Sequence, residues 1–157
     1  MTSLPERNRA ARDLFAPLGP SYDRWSRILS LGQDPRWRRF LVSRVECGPD
    51  GSVLDVATGT AAVAIELARQ QGCRVVGLDQ SPEMLAGGAR RVEDAGLAAR
   101  IELVEGQAEH LPVAAGSVDA LTHTYLLRYV DDPAATVKAL ADAITPGGMM
   151  ASLEFGV

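Results

Sequence analysis

The chain has 157 residues, 46% of them apolar and 23% charged, with a formal net charge of -4. These values suit one soluble globular domain and give no reason to expect nucleic acid as a partner. No apolar run approaches the roughly 20 residues of a membrane span, and MTSLPERNRAARD lacks the apolar centre of a signal peptide.

The charge is unevenly spread. Residues 1–45 hold nine Arg against four acids, and residues 46–157 hold seven basic residues against sixteen acids. The basic end fits the solvated faces of helices. Its alternative is contact with an anionic surface, such as a membrane face or a phosphate. Cys47 and Cys73 have neither close spacing nor an accompanying His cluster. Neither a disulfide framework nor a zinc site is indicated, and a reducing cytoplasm fits.

Residues 5–46 read as helices. In DPRWRRFLVSRVE, Asp34 suits the cap and Pro35 the first helical position. Trp37, Phe40, Leu41, Arg44 and Val45 follow at helical spacing, and this stripe reads as packing. GPDG at 48–51 is a turn, so the expected division is a helical segment over 1–47 and a domain over 48–157.

From there strands and helices alternate. SVLDVA is a short apolar strand, and TAAVAIELARQQG is a helix starting near Thr60 and ending at Gly72. CRVVGLD is a second strand. SPEMLAGGARRVEDAG is a helix with Ser81 as cap, Pro82 at its first position and Gly96 past its end. IELVEG and SVDALTHT are strands. DPAATVKALADAITPGG is a helix capped by Asp132 and stopped by Pro146-Gly147-Gly148, and MMASLEF is a fifth strand. Near-continuous apolar strands alternating with helices predict an α/β fold: a Rossmann-like, doubly wound parallel sheet covered on both faces. A chain that stops after its fifth strand leaves an edge for a second copy, or is part of a longer protein.

Ligands of such sheets sit beyond the carboxyl ends of the strands, where strand order reverses. That places the 57–61 loop at the ligand. Gly59 lets the backbone approach closely, and the helix beginning near Thr60 offers free N–H groups. Asp79 ends the second strand, where a carboxylate accepts hydrogen bonds from both ribose hydroxyls. Its plainer reading is a turn or capping acid, but Ser81 already suits the cap. A dehydrogenase shows G-x-G-x-x-G to clear room for a pyrophosphate. This loop has Ala57 and Ala61 beside its single glycine, and no P-loop lysine. Asp55 would repel a phosphate. It either orients the loop or faces an ammonium group through water. A nucleoside bearing an amino acid and a positive sulfur fits: S-adenosyl-L-methionine.

VLDVATGTA, VVGLDQSPEML, GQAEHLP, SVDALTHTYLLRYVDDP and TPGGMMASLEF resemble the successive motifs of class I S-adenosylmethionine-dependent methyltransferases. YDRWSRILSLGQDPRWRRFLV, LLRYVDDP and SLEF are similar to the menaquinone/ubiquinone-biosynthesis C-methyltransferase family. The resemblance implies that Thr60 and the loop backbone hold the methionine portion. It places Asp79, with Gln80 beside it, at the ribose. Gln107 and Ala108 meet the adenine, Met84 adds an apolar contact or serves as helix core, and Thr124 lines the pocket. Tyr22 closes over the cofactor. Arg128 matches the family's arginine and would hold a ring oxygen of the acceptor; its alternative is a surface ion pair with Asp131 or Asp132. His123 is a candidate base, although strand alternation turns it away from Thr124 and towards a helix. No metal is expected.

The resemblance also shows departures. The family loop commonly reads G-T-G, and here it is Gly59-Thr60-Ala61, which is tolerated if Ala61 takes helical dihedrals. Tyr125-Leu126-Leu127-Arg128-Tyr129 is bulkier than the family pattern. Family members continue well past SLEF, so the last strands of the fold are expected to be missing. The implied activity is C-methylation of a demethylmenaquinol-type ring. The implied partners are a polyprenyl quinol, a membrane surface touched peripherally by the Arg-rich segment, and a second copy of the chain. The alternatives are a methyltransferase for another small molecule, a cofactor-binding module without activity, and a nicotinamide-dependent oxidoreductase.

Overall fold

A computed structural model of the chain describes residues 34–154 together with Asp13. Tyr22 lies outside the described residues. The elements in chain order are α1 (Asp34–Ser43), β1 (Ser52–Val56), α2 (Ala62–Gln71), β2 (Arg74–Asp79), α3 (Pro82–Asp94), β3 (Ile101–Glu105), β4 (Val118–Thr124), α4 (Pro133–Asp142) and β5 (Ile144–Leu153). The strands form one sheet in the order β3-β2-β1-β4-β5, and every pairing is parallel. This is the expected Rossmann-like architecture. β1 has β2 on one side and β4 on the other, so strand order reverses at the carboxyl end of β1.

Alternation along the strands feeds two cores. Val53, Val75 and Ala120 face one side with Leu41, Val42, Ala64 and Leu67 from α1 and α2. Leu54, Val56, Leu78 and Leu121 face the other, with Leu140 from α4. Burying each of these Leu and Val side chains contributes about 1.5–3 kcal/mol relative to leaving it exposed.

Three of the expected caps hold, at Ser81, Asp132 and Gly72. Ser81 Oγ accepts from Met84 N at 3.2 Å, and Asp132 Oδ1 accepts from Ala135 N at 3.0 Å. Gly72 closes α2 in the left-handed region with φ +69°.

Three expectations are corrected. The Trp37–Val45 stripe is only partly packed: Leu41 and Val45 are buried with Val42, but Trp37 and Phe40 are 49% and 53% exposed. The buried face of α1 is rotated away from the two rings, towards α2 and β5. Second, Pro146-Gly147-Gly148 does not stop α4, which ends at Asp142. The segment lies within β5, where the register with β4 shifts between Val118 and Ala120 and Gly147 takes φ +83°. Ala143 O already accepts from Ser117 N and Val118 N, so the chain joins the sheet edge before the proline. Third, α2 begins at Ala62, not near Thr60, because Ala61 is left-handed.

Cys47 and Cys73, far apart in sequence, are buried near each other as free thiols. Burial, with the neighbouring thiol, pushes Cys73 up to about 11. Among the described residues no helix is long and apolar enough to cross a membrane.

Candidate functional site

Register brings the candidate residues to one end of the sheet. Val56 pairs with Leu78 on one side and His123 on the other, and Asp79 pairs with Glu105. The segments following β1, β2, β3 and β4 therefore emerge side by side. They carry Gly59 and Thr60, Gln80, Gln107 and Ala108, and Arg128.

The loop after β1 is held in an uncommon shape. Ala57, Gly59 and Ala61 all have positive φ, at 57°, 57° and 64°. The left-handed region costs a non-glycine residue roughly 1–2 kcal/mol, so two alanines store appreciable strain. Ala61 thus does not take the helical dihedrals that were the condition for tolerating its methyl. No side chain caps α2 there, so its first N–H groups open towards the loop.

Three side chains offset that strain. Asp55, buried beneath the loop, accepts from Thr58 Oγ1 and from Thr122 Oγ1, each at 2.6 Å. This arrangement follows from register: Asp55 pairs with Thr122 on β4 and with Gly77 on β2. A Cβ at Gly77 would lie 2.9 Å from Thr58 Oγ1, so the bare position makes room for Thr58 to fold back. Asp55 thus ties the Thr58 hydroxyl of the loop to β4. Burial pushes its pKa up to about 6, against the two hydroxyl bonds, which lower it.

Asp79 is the second tether. Its Oδ2 accepts from Gly59 N at 2.7 Å and its Oδ1 from Ser81 N at 2.9 Å. The turn-acid role is real, and it does not use up the carboxylate, which has about four acceptor sites. Burial raises its pKa, opposed by the backbone N–H groups of Ser81, Gly59 and Gln80. The third tether, Arg91 on α3, donates to Thr60 Oγ1 at 2.8 Å and to Thr60 O at 3.3 Å.

The remaining candidates stand as follows. Met84 is buried, and its Cε would lie 3.2 Å from a Cβ on Gly59. Gln80 and Thr124 are half-buried, Ala108 is buried, and Gln107 and Arg128 are exposed. His123 is buried, with Nδ1 3.0 Å from Glu154 Oε1. Its pKa is lowered by burial, against Glu154, which raises it. Among the described residues no group of three or more His, Cys, Asp or Glu side chains is placed to hold a metal.

Sequence reasoning missed Thr58, Thr122, Arg91 and Glu154. Thr58, Thr122 and Glu154 lie inside the motifs that carry the resemblance, but nothing local marks their partners.

The family model described as the ubiE/COQ5 methyltransferase family matches residues 1–157. The chain is 40% identical over 157 residues to a ubiquinone/menaquinone biosynthesis C-methyltransferase of Geobacter sp. (strain M21), covering 99% of this chain and 67% of that protein. It is 37% identical over 153 residues to a demethylmenaquinone methyltransferase of Renibacterium salmoninarum, covering 98% and 62%. Among solved structures, geranyl diphosphate C-methyltransferase from Streptomyces coelicolor A3(2), in complex with S-adenosyl-L-homocysteine, superposes with a TM-score of 0.72 at 21% identity, covering 76% of this chain and 45% of that one. The cyclase SpnF superposes with a TM-score of 0.71 at 24% identity, covering 76% and 44%. The chain spans about two thirds of the length of these curated relatives and under half the length of these two solved structures. By its profile and by relatives aligned along almost its whole length, the chain belongs to the ubiE/COQ5 methyltransferase family.

Proposed function

We propose that this chain binds S-adenosyl-L-methionine beyond the carboxyl ends of β1 to β4 and methylates a ring carbon of a demethylmenaquinol-type acceptor. The observation that carries the cofactor reading is Asp79. Its carboxylate ends β2 at the switch point, is fixed by Gly59 N and Ser81 N, and keeps lone pairs for a sugar diol. Asp79 thus presents an acceptor at the loop, while Asp55 lies buried beneath it, and an acceptor there fits a sugar diol and not a phosphate. The fold does not choose the reaction, since a cyclase shares it. Support for the acceptor is the relatives named for ubiquinone/menaquinone biosynthesis and for demethylmenaquinone.

In this reading Thr60 and the loop backbone hold the methionine portion, and the open N-terminus of α2 favours its carboxylate. Asp79, with Gln80, holds the ribose. Gln107, Ala108 and Met84 surround the adenine, and Thr124 lines the pocket. When bound, the cofactor supplies an electrophilic methyl group on a positively charged sulfur. The protein's share is alignment, worth roughly 7–11 kcal/mol when complete. Arg128 holds the acceptor's ring oxygen and favours its anionic form, which makes the ring carbon nucleophilic. His123 is buried at 1% exposure with Glu154 against its Nδ1, so we assign that ring to support rather than to proton abstraction.

Calorimetry with S-adenosyl-L-homocysteine and with NAD tests the cofactor. Binding of NAD alone sinks it. Transfer of labelled methyl to demethylmenaquinol tests the reaction, and binding without transfer leaves a cofactor-binding module.

The acceptor's polyprenyl tail puts it in a membrane, and α1 is our choice of contact. Arg39, Arg36, Phe40 and Trp37 are exposed and share one arc of the helix, and Arg44, exposed, follows directly after its end. The Arg44 guanidinium lies 4.8 Å from the centre of the Phe40 ring. Arginines interleaved with rings suit an anionic lipid surface. A second copy of the chain would add at the edge of β5, and a monomeric mass in solution sinks that part.

A further inference from the structure

We propose that Glu154 is a positioning residue for the methyl acceptor, holding the turn after β4 that carries Tyr125 and Arg128. This rests on the reaction assigned above.

One carboxylate oxygen gathers three contacts. Glu154 Oε1 accepts from Leu126 N at 2.9 Å and Leu127 N at 3.3 Å, and lies 3.0 Å from His123 Nδ1. Backbone N–H groups only donate, so this oxygen is an acceptor. An ionised carboxylate only accepts, so the proton between the side chains sits on His123 Nδ1. Burial lowers the His123 pKa, which favours the neutral ring donating from Nδ1.

The turn needs an outside hold. Tyr125 has φ +52°, a costly conformation for a bulky side chain. Its N–H donates to Leu153 O at 2.8 Å, so the end of β5 restrains three consecutive residues, Tyr125 to Leu127. Leu126 and Val130 are buried in the core beneath, while Arg128 is exposed. Apolar burial anchors the turn from below and Glu154 fixes it sideways, which sets the direction from which Arg128 leaves the backbone.

The sheet order explains why this hold serves the acceptor and not the nucleoside. Asp79 ends β2, and Leu153 ends β5, three strands away. At about 4.8 Å per strand that is roughly 14 Å. The hydrogen bonds that tether Asp79 to Gly59 and Ser81 do not involve Glu154. The two halves of the site are therefore separable by mutation.

The test uses Glu154→Leu and Glu154→Gln in the full chain. Glu154→Gln keeps a carbonyl oxygen for the backbone donors. Glu154→Leu should speed amide exchange at Leu126 and Leu127 by about tenfold or more. It should raise the acceptor KM, or lower kcat, by about 10- to 100-fold while the affinity for S-adenosyl-L-homocysteine stays within about twofold. Glu154→Gln should recover most of both losses. Unchanged exchange at the two amides overturns the hold. Faster exchange with unchanged acceptor kinetics overturns the positioning role, as does parallel loss of nucleoside affinity in both variants. A wild-type chain that transfers no methyl group sinks the reaction instead, and the hold is then decided on amide exchange alone.

Discussion

The methyl of Ala61 lies in the space that Gly88 leaves open. A Cβ on Gly88 would stand 3.3 Å from Ala61 Cβ, 3.2 Å from Thr60 C and 3.2 Å from Leu103 Cδ1. The loop carries a methyl where its family commonly has none, and α3 passes it with no side chain. Gly88→Ala gains about 1 kcal/mol of helix propensity but adds overpacking of about 1–3 kcal/mol. Ala61→Gly relieves both the crowding and the left-handed alanine. Denaturant unfolding of a double-mutant cycle should show Gly88→Ala at least about 0.5 kcal/mol more favourable in the Ala61→Gly background. Additive effects would mean that the two positions do not share this space.

Asp79→Ala should do more than remove a ribose contact. It strips the acceptor from Gly59 N and Ser81 N, and an abandoned half-buried donor costs about 1–3 kcal/mol. We expect a drop in unfolding free energy in that range together with loss of S-adenosyl-L-homocysteine binding by calorimetry. Asp79→Asn should keep more of the stability, because its carbonyl oxygen still accepts. Full affinity in Asp79→Ala would disprove the ribose assignment.

Asp55 makes a signed contribution to stability against pH. Its folded pKa is raised from 3.8 to about 6, so between those values the folded state binds more protons than the unfolded one. The stability this contributes is complete below pH 4 and is lost as pH rises through about 6, an effect on the order of 3 kcal/mol. Asp55→Asn removes that titration. The difference in unfolding free energy, variant minus wild type, should therefore rise between pH 4 and pH 7. A difference that stays flat across this window contradicts the buried, neutralising carboxylate.

The exposed arc of α1 predicts lipid selectivity. The chain should sediment with phosphatidylglycerol vesicles more than with phosphatidylcholine vesicles. Reversing Arg36 and Arg39 to Glu should weaken the anionic binding by about tenfold or more, since each surface arginine contributes about 1 kcal/mol. Equal sedimentation with the two lipids removes α1 as the contact.

Much of the candidate site's layout was legible because its signals are local. Asp79 at the end of an apolar strand, Gly59 after another, and the absence of a second loop glycine need only a few neighbouring residues to be read. Trp37 and Phe40 were misjudged because spacing identifies a stripe but does not say which arc of a helix meets its neighbours. The bulged Pro146-Gly147-Gly148 looked like a helix stop because proline and glycine break either element.

What the sequence determined alone was the order of strands and helices, their caps at Ser81, Asp132 and Gly72, and the acid at the carboxyl end of β2. Each depends on backbone preferences and periodicity over a few residues. Only the tertiary structure decided which polar groups meet: Thr122 and Asp55 across 67 positions, Arg91 and Thr60 across 31, Glu154 and His123 across 31. These pairs follow from strand register and from which helix crosses which loop. Such contacts form when the two cores close, and no short stretch of chain encodes them by itself.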